Sequence, residues 1–365
     1  MRRLTLALVG LAAVAMTMSA TAAEWGLKKG SPRLRSISAL AFGPDGILFV
    51  GDAKAATIVA LDTGDNAGDA AKVTVNVKGL KAKLAKLLGD SSDIAIEDLA
   101  VNPISGNVYV GVSSGDKVGL ARIDAATQAV TSLPLTDVPC AQAVLSNAPA
   151  DKVTGEGRRK RNMRYESITD LAYIDGKLIV SGLSNADSPS TVRELPFPFA
   201  ESETGVSLEI YHGAHGRYED YAAVRTLVPF NIDGQPSLLM GFTCTPLVKL
   251  PLQHLKESDK VRGTTVAELG NRNRPLDMIV YTKNGQDYVL MANSARGVMK
   301  ITTEGLNRNE GITSRVGGGG LAGQTYETIK ELDGVVQLDA LNDSHAVVLV
   351  QADGGEQDLR TIDLP

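Results

Sequence analysis

The stretch Ile37 to Asp62, ISALAFGPDGILFVGDAKAATIVALD, holds three apolar runs of strand length, the first two divided by the turn Gly43-Pro44-Asp45-Gly46. Pro44 presets φ for entry into a turn, and Gly46 supplies a backbone conformation that other residues resist. The unit returns as IEDLAVNPISGNVYVGVSSGDKVGLARID (Ile96 to Asp124) and ITDLAYIDGKLIVSGLSN (Ile168 to Asn185). It returns more weakly at Val224 to Leu250, and two more copies follow at Leu276 to Ile301 and Val335 to Gln351. The six units lie roughly 50 to 70 residues apart, at or beyond the upper end of the spacing of propeller blades. One such unit cannot bury its apolar faces alone, so the repeats must stack. The pattern predicts an all-β, six-bladed β-propeller of four-stranded blades.

A fourth strand is expected after five of the units, at Lys72 to Val77, Ala129 to Leu135, Val206 to Tyr211, Thr264 to Leu269 and Ile312 to Val316. The last unit ends at the C-terminus without one, which would leave an unpaired edge. Residues 24 to 33, which belong to no unit, are therefore expected to pair there and close the ring. Aromatic residues make up only 4% of the chain and Trp25 is its one tryptophan. The core must accordingly be aliphatic, packed between neighbouring sheets. Residues 24 to 365 read as a single domain with insertions near 137 to 165 and 212 to 223.

Residues 1 to 23 have the form of a secretory leader: Arg2 and Arg3, an apolar run from Leu4 to Met16, and the small-residue exit Ala20-Thr21-Ala22. The run is too short to span a bilayer, and no second apolar segment is long enough. The expectation is a periplasmic or secreted protein. The formal charge of -5 becomes more negative once the two leader arginines are removed, which argues against nucleic acid as a partner.

Propeller topology sorts the loops onto two faces. The first turns of all units fall on one face and are short. The second-to-third-strand loops, the crossings and the long insertions fall on the other, where binding residues on a rigid scaffold tend to sit. A basic cluster, Arg158 to Arg161 with Arg164, could receive an anion, although a solvated loop is the ordinary meaning of such a run. Lys78, Lys81, Lys83 and Lys86 alternate with Leu80, Leu84, Leu87 and Leu88 at helical spacing, as in a helix capping the ring. Cys140 and Cys244, an even pair in an exported chain, suggest a disulfide, with free or metal-binding thiols as the alternative. His212 and His215 form an HxxH that could join a transition-metal site, or could simply make loop hydrogen bonds. Glu97, Asp98, Asp170 and Asp277 stand at the starts of first strands, near the channel mouth. Carboxylates gathered on one axis repel unless a cation such as calcium, a basic side chain such as Arg274 or Arg296, or a proton relieves them. Asn293 could add an amide oxygen. Gly111 to Gly115 fits GxSxG, yet Ser113 lies between two strands rather than at a strand-to-helix elbow.

The Ile-x-x-Leu-Ala strand, the PDG or NPxxG turn and the aliphatic strand that follows resemble blades of the NHL, YVTN and gluconolactonase (regucalcin)-like six-bladed propellers. The resemblance implies a divalent cation at the channel mouth, held by Glu, Asn and Asp and polarising an ester. The matching residue types here are Glu97, Asp98, Asp170 and Asn293, with Asp277 a positional analogue. The first reading is thus an exported propeller that binds a small molecule, a metal ion or an exported protein partner through its loop-rich face, using Arg158, Arg161, Arg274, Asn293 and Arg296 as ligand contacts. The second is a metal-dependent hydrolase or lactonase, and behind it a quinone-dependent oxidoreductase.

Overall fold

The computed structural model describes residues 25 to 365 apart from 90–92, 158–159, 201–204, 245, 257, 309 and 353. The expected leader and Arg158 lie outside the described residues. Six sheets surround a central channel, and their innermost strands are Ala39–Phe42, Ala95–Val101, Asp170–Ile174, Thr226–Ile232, Pro275–Lys283 and Val335–Asn342. The sheets are called blades one to six in that order, and the all-β six-bladed propeller read from the repeats is the fold observed. The next strand of each blade, such as Ile47–Asp52, His345–Gln351 or Gln286–Asn293, is buried along most of its length because a neighbouring blade covers each face.

Spatial order differs from chain order. Blades three to six follow one another around the axis, but blade six is then followed by blade two, and blade one lies between blades two and three. Two close approaches fix this arrangement. A Cβ on Gly111 of blade two would meet Ile37 of blade one at 2.4 Å, and one on Gly51 of blade one would meet Ile168 of blade three at 2.7 Å. Both glycines let the start of the next blade cross directly over a second strand.

The exchange of positions rests on two strand donations. After its third strand, Thr57–Asp62, blade one sends the chain across to blade six, where Asn76–Val77 pairs with Gln357–Asp363. Thr361 holds this junction from both sides: its Oγ1 accepts from the Val75 amide and its own amide donates to the Val75 carbonyl, both at 2.8 Å. The helix Leu80–Leu87 follows with Leu80 and Leu84 fully buried, as its lysine–leucine spacing predicts. Blade two is built next, and Val138–Val144 then returns to pair with Thr57–Asp62 as the fourth strand of blade one.

Closure by residues 24 to 33 on the last blade is therefore corrected. Residues 76–77 already occupy that edge, and Lys28–Gly30 pairs instead with Val138–Cys140, covering the outer edge of blade one. Two expected fourth strands are corrected as well: 72–77 serves blade six rather than blade one, and in blade five Tyr326–Ile329 takes the place expected for 312–316. The disulfide is also corrected, since Cys140 and Cys244 are both free. The donated strand carries Cys140 into blade one opposite Leu61, toward the face of short turns. Cys244 stays on the loop-rich end of blade four.

A buried carboxylate ties blade one to its neighbour. Asp65, just beyond the third strand of blade one, is 6% exposed. It accepts hydrogen bonds from Ser105 Oγ at 2.8 Å, Asn107 Nδ2 at 3.0 Å and Tyr109 Oη at 3.1 Å, all in blade two. Asn102 Nδ2 donates to the Asp65 carbonyl at 2.6 Å. Gly46, at φ +74, lies against that carbonyl so closely that a Cβ would come within 2.3 Å of its oxygen. The glycine of the PDG turn is therefore required by both conformation and space. No helix among the described residues is long and apolar enough to cross a membrane.

Candidate binding site at the channel mouth

The channel is a cavity of about 320 Å³ lined by first strands, and four aspartates point into it: Asp98, Asp170, Asp277 and Asp339. Their roles follow from where the strands begin. In blades two, five and six the pairing register shifts at the start of the innermost strand, at Ile96/Asp98, Pro275/Asp277 and Val335/Gln337. Such bulges re-aim the side chains that follow. Each carboxylate then reaches the backbone of the next blade. Asp98 Oδ2 accepts from the Leu40 amide at 2.6 Å, Asp339 Oδ2 from Val101 at 2.7 Å, Asp277 Oδ2 from Leu338 at 3.0 Å and Asp170 Oδ2 from Leu227 at 2.6 Å. All four bonds run in the same sense around the ring. Asp170, Asp277 and Asp339 also accept from the amide of their own following residue, at 2.7 to 2.8 Å.

These clasps hold neighbouring first strands together at an electrostatic cost. Burial, the largest cause, pushes the Asp170 carboxyl up to about 7 and Asp339 up to about 6 against the opposing pull of their amide donors. Asp98 and Asp277 are raised well above the ordinary carboxyl range by burial and by the other aspartates of the channel. Each carboxylate keeps part of its surface open to the channel, so the enclosure is not that of a dry core. Among the described residues no three of these carboxylates bring donor atoms within metal-binding reach of one another.

On the loop-rich side the channel opens into a second cavity of about 450 Å³. Its charged lining is Arg35, Lys54, Glu97, Glu166, Arg225 and Arg274, four cations against two carboxylates. Arg225 Nη2 lies 2.5 Å from Glu166 Oε1, and Arg161 flanks the same carboxylate at 3.7 Å. Glu97 accepts from Ser113 Oγ, a hydroxyl that lines this cavity between two strands. Arg35 spans the carbonyl of Lys54 at 3.3 Å and Asp151 at 3.4 Å. Arg274 differs from the other two arginines: its backbone amide donates to Ser294 Oγ at 2.8 Å, but its guanidinium forms no hydrogen bond or ion pair among the described residues. Desolvation first, and the Arg225 charge second, press its pKa downward. The guanidinium remains charged, with unused donors at the lip of the channel.

The other expected contacts are placed elsewhere. Asn293 is buried in blade five, donating to Asn273 Oδ1 at 3.2 Å and accepting from the Ala295 amide at 3.1 Å. Arg296 packs against Gly270 and donates to the Asn271 carbonyl at 3.1 Å. His212 and His215 sit in a hairpin at the outer edge of blade three, where Val206–His212 pairs with Arg217–Glu219. With Glu219 they bring three potential ligand atoms within 4.8 Å of one another.

Arg225, Arg35, Asp339 and Glu219 escape the sequence reading. Arg225 is visible in hindsight at the repeat position that Glu97 and Thr169 hold in blades two and three. Asp339 lies two residues beyond the repeat position that holds aspartate elsewhere, where blade six has Gln337.

No family model matches the chain, and no curated protein does. Solved structures share the propeller fold at low identity. A PQQ-bound aldose sugar dehydrogenase from Streptomyces coelicolor is 14% identical over 92% of this chain and 96% of its own, with a TM-score of 0.30. A candidate oxidoreductase (glucose dehydrogenase) from Thermus thermophilus is 13% identical over 92% of this chain and 99% of its own, with a TM-score of 0.33. A chain of the mitotic checkpoint complex is 10% identical over 93% of each chain, with a TM-score of 0.40. These likenesses assign neither substrate nor cofactor to this chain.

Proposed function

We propose that this protein is an exported propeller that binds a small anionic solute, bearing a carboxylate or phosphate, at the channel mouth on the loop-rich face. The observation that carries the reading is Arg274. Its guanidinium makes no hydrogen bond or ion pair among the described residues, lies at the edge of a cavity of solute size beside the Glu166–Arg225 pair, and shares that cavity with Arg35 and Lys54 as well. Planar guanidinium donors match carboxylate and phosphate oxygens two at a time. The Glu166–Arg225 pair fixes the second guanidinium in position, and the rigid first strands beneath keep the mouth open. A hydrolytic reading needs a cation on the axis, and the axial carboxylates are spread apart, each committed to backbone amides. Solute binding requires only the groups that line the mouth.

The test is isothermal titration of the mature protein with citrate, gluconate and inorganic phosphate. At least one should bind, and Arg274→Ala should weaken it by roughly 10- to 100-fold, the scale of a charged hydrogen bond worth about 1.5–3 kcal/mol. Asn284→Ala, on the opposite face, should leave binding unchanged. If none of the three binds, or if the Arg274 variant binds as tightly as the wild type, the reading fails.

A further inference from the structure

We infer that the hairpin of blade three carries a transition-metal site of the zinc class, with His212, His215 and Glu219 as its ligands. The inference is independent of solute binding at the mouth, from which these residues are separate. The hairpin brings the three together because His212 ends one strand, Glu219 ends its partner, and the tight turn between them holds His215: the His215 amide donates to the His212 carbonyl at 3.1 Å. His212 Nδ1 lies 2.9 Å from Glu219 Oε2 and His215 Nδ1 lies 2.7 Å from Glu219 Oε1. The two imidazole rings are tilted by 38° with centroids 3.8 Å apart, so both Nδ1 atoms face the same carboxylate. Ligands at 2.0–2.1 Å from a tetrahedral ion are about 3.3 Å from one another. A small opening of the existing contacts would therefore admit the ion between them, each imidazole moving its proton from Nδ1 to Nε2.

The surroundings suit such a guest. His212 is 4% exposed, and its Nε2 has no partner among the described residues. Glu268, anchored to the amide next to His212 by a 2.5 Å bond from Gly213, is also buried and leaves Oε2 without one. Imidazole and carboxylate together favour zinc, copper or nickel over calcium. On the open side, His215 has 44% of its side chain exposed. Arg217, whose Nε now lies 2.9 Å from Glu219 Oε1, has 65% exposed, so it can swing away and release the carboxylate.

The experiment uses zinc alone with the mature protein, followed by thermal shift and titration, with cobalt(II) as a spectroscopic substitute. Zinc should raise the melting temperature, and cobalt should give a visible absorption band of tetrahedral N/O coordination. His215→Ala, at an exposed position that leaves the fold intact, should weaken zinc binding at least 10-fold. Arg217→Ala should tighten it, because the competing guanidinium is gone. A plain hydrogen-bonded cluster predicts the opposite for Arg217→Ala: lower stability and no change in zinc affinity. That result, or a zinc response in His215→Ala equal to that of the wild type, would overturn the assignment.

Discussion

Replacing Asp65 with alanine is expected to cost about 3–5 kcal/mol of stability, the range found when one partner of a buried charged network is removed. The reason lies in what would remain. Ser105 Oγ, Asn107 Nδ2 and Tyr109 Oη would all lose their acceptor in a space closed to solvent. Arg122, 3.8 Å away, would be left with Asp124, at 3.3 Å, as its opposite charge. Burying a polar group without a partner costs roughly 1–3 kcal/mol each, and relaxation recovers only part of that. Asp65→Asn, which keeps an oxygen acceptor, should recover a large part of the loss. Urea unfolding reads both variants, the midpoint falling while the slope stays constant. A loss of under 1 kcal/mol in Asp65→Ala would mean that blade two is seated on blade one by apolar packing alone.

The channel aspartates should make the protein less stable as pH rises from about 4 to 7. A carboxyl whose folded-state pKa lies above its unfolded value binds more protons when folded, so its contribution is complete below the unfolded pKa and is lost as pH climbs through the folded one. For Asp170 that window runs from 3.8 to about 7, and for Asp339 from 3.8 to about 6. Asp98 and Asp277, raised well above the ordinary carboxyl range, add to the fall with the same sign. Glu268, pushed to about 7 by burial first of all, contributes with the same sign. His212 opposes them, because its depressed pKa costs stability as pH drops below the ordinary imidazole value. Glu219 titrates outside the window: although burial acts to raise it, its bonds from His212, Arg217, Tyr221 and His215 bring it down to about 2. Several acids against one histidine leave a net fall between pH 5 and pH 8 of at least ~2 kcal/mol, or roughly 3 °C in melting temperature for a chain of this size. Asp98→Asn with Asp277→Asn should flatten the profile while keeping an acceptor for each amide clasp. A wild-type melting temperature that rises across this range would show that the four carboxyls are ionised without penalty.

The candidate site divides along the same line as the fold. Glu97, Asp98, Asp170 and Asp277 stand at repeat positions, so their gathering near the axis follows from the period alone. That three of them clasp the next blade's backbone does not follow from it, because the contact depends on which blade is next. Arg274 is named by the sequence as a neutralising cation, yet only the packed mouth gives it companions in Arg225 and Arg35 and leaves its guanidinium unpaired among the described residues. Glu219 joins His212 and His215 through a hairpin whose register no repeat announces.

What the sequence determined by itself is local: turn chemistry at Gly43 to Gly46, aliphatic runs of strand length, and their sixfold return, which together admit little besides a propeller. The Lys78 to Leu88 stripe specified its helix for the same reason, since helical spacing and an apolar face are properties of neighbours along the chain. Tertiary structure alone decided which blade stands beside which and which strand completes which sheet. Asn76–Val77 and Val138–Val144 are strands of ordinary composition, and nothing in their residues distinguishes blade one from blade six. The choice is made by contacts distant in the chain: Thr361 gripping Val75, Asp65 receiving the side chains of blade two, and two glycines, Gly51 and Gly111, small enough to let the neighbouring blade cross. Backbone hydrogen bonds are the same for every edge, so the particular partner is selected only where side chains from separate blades meet.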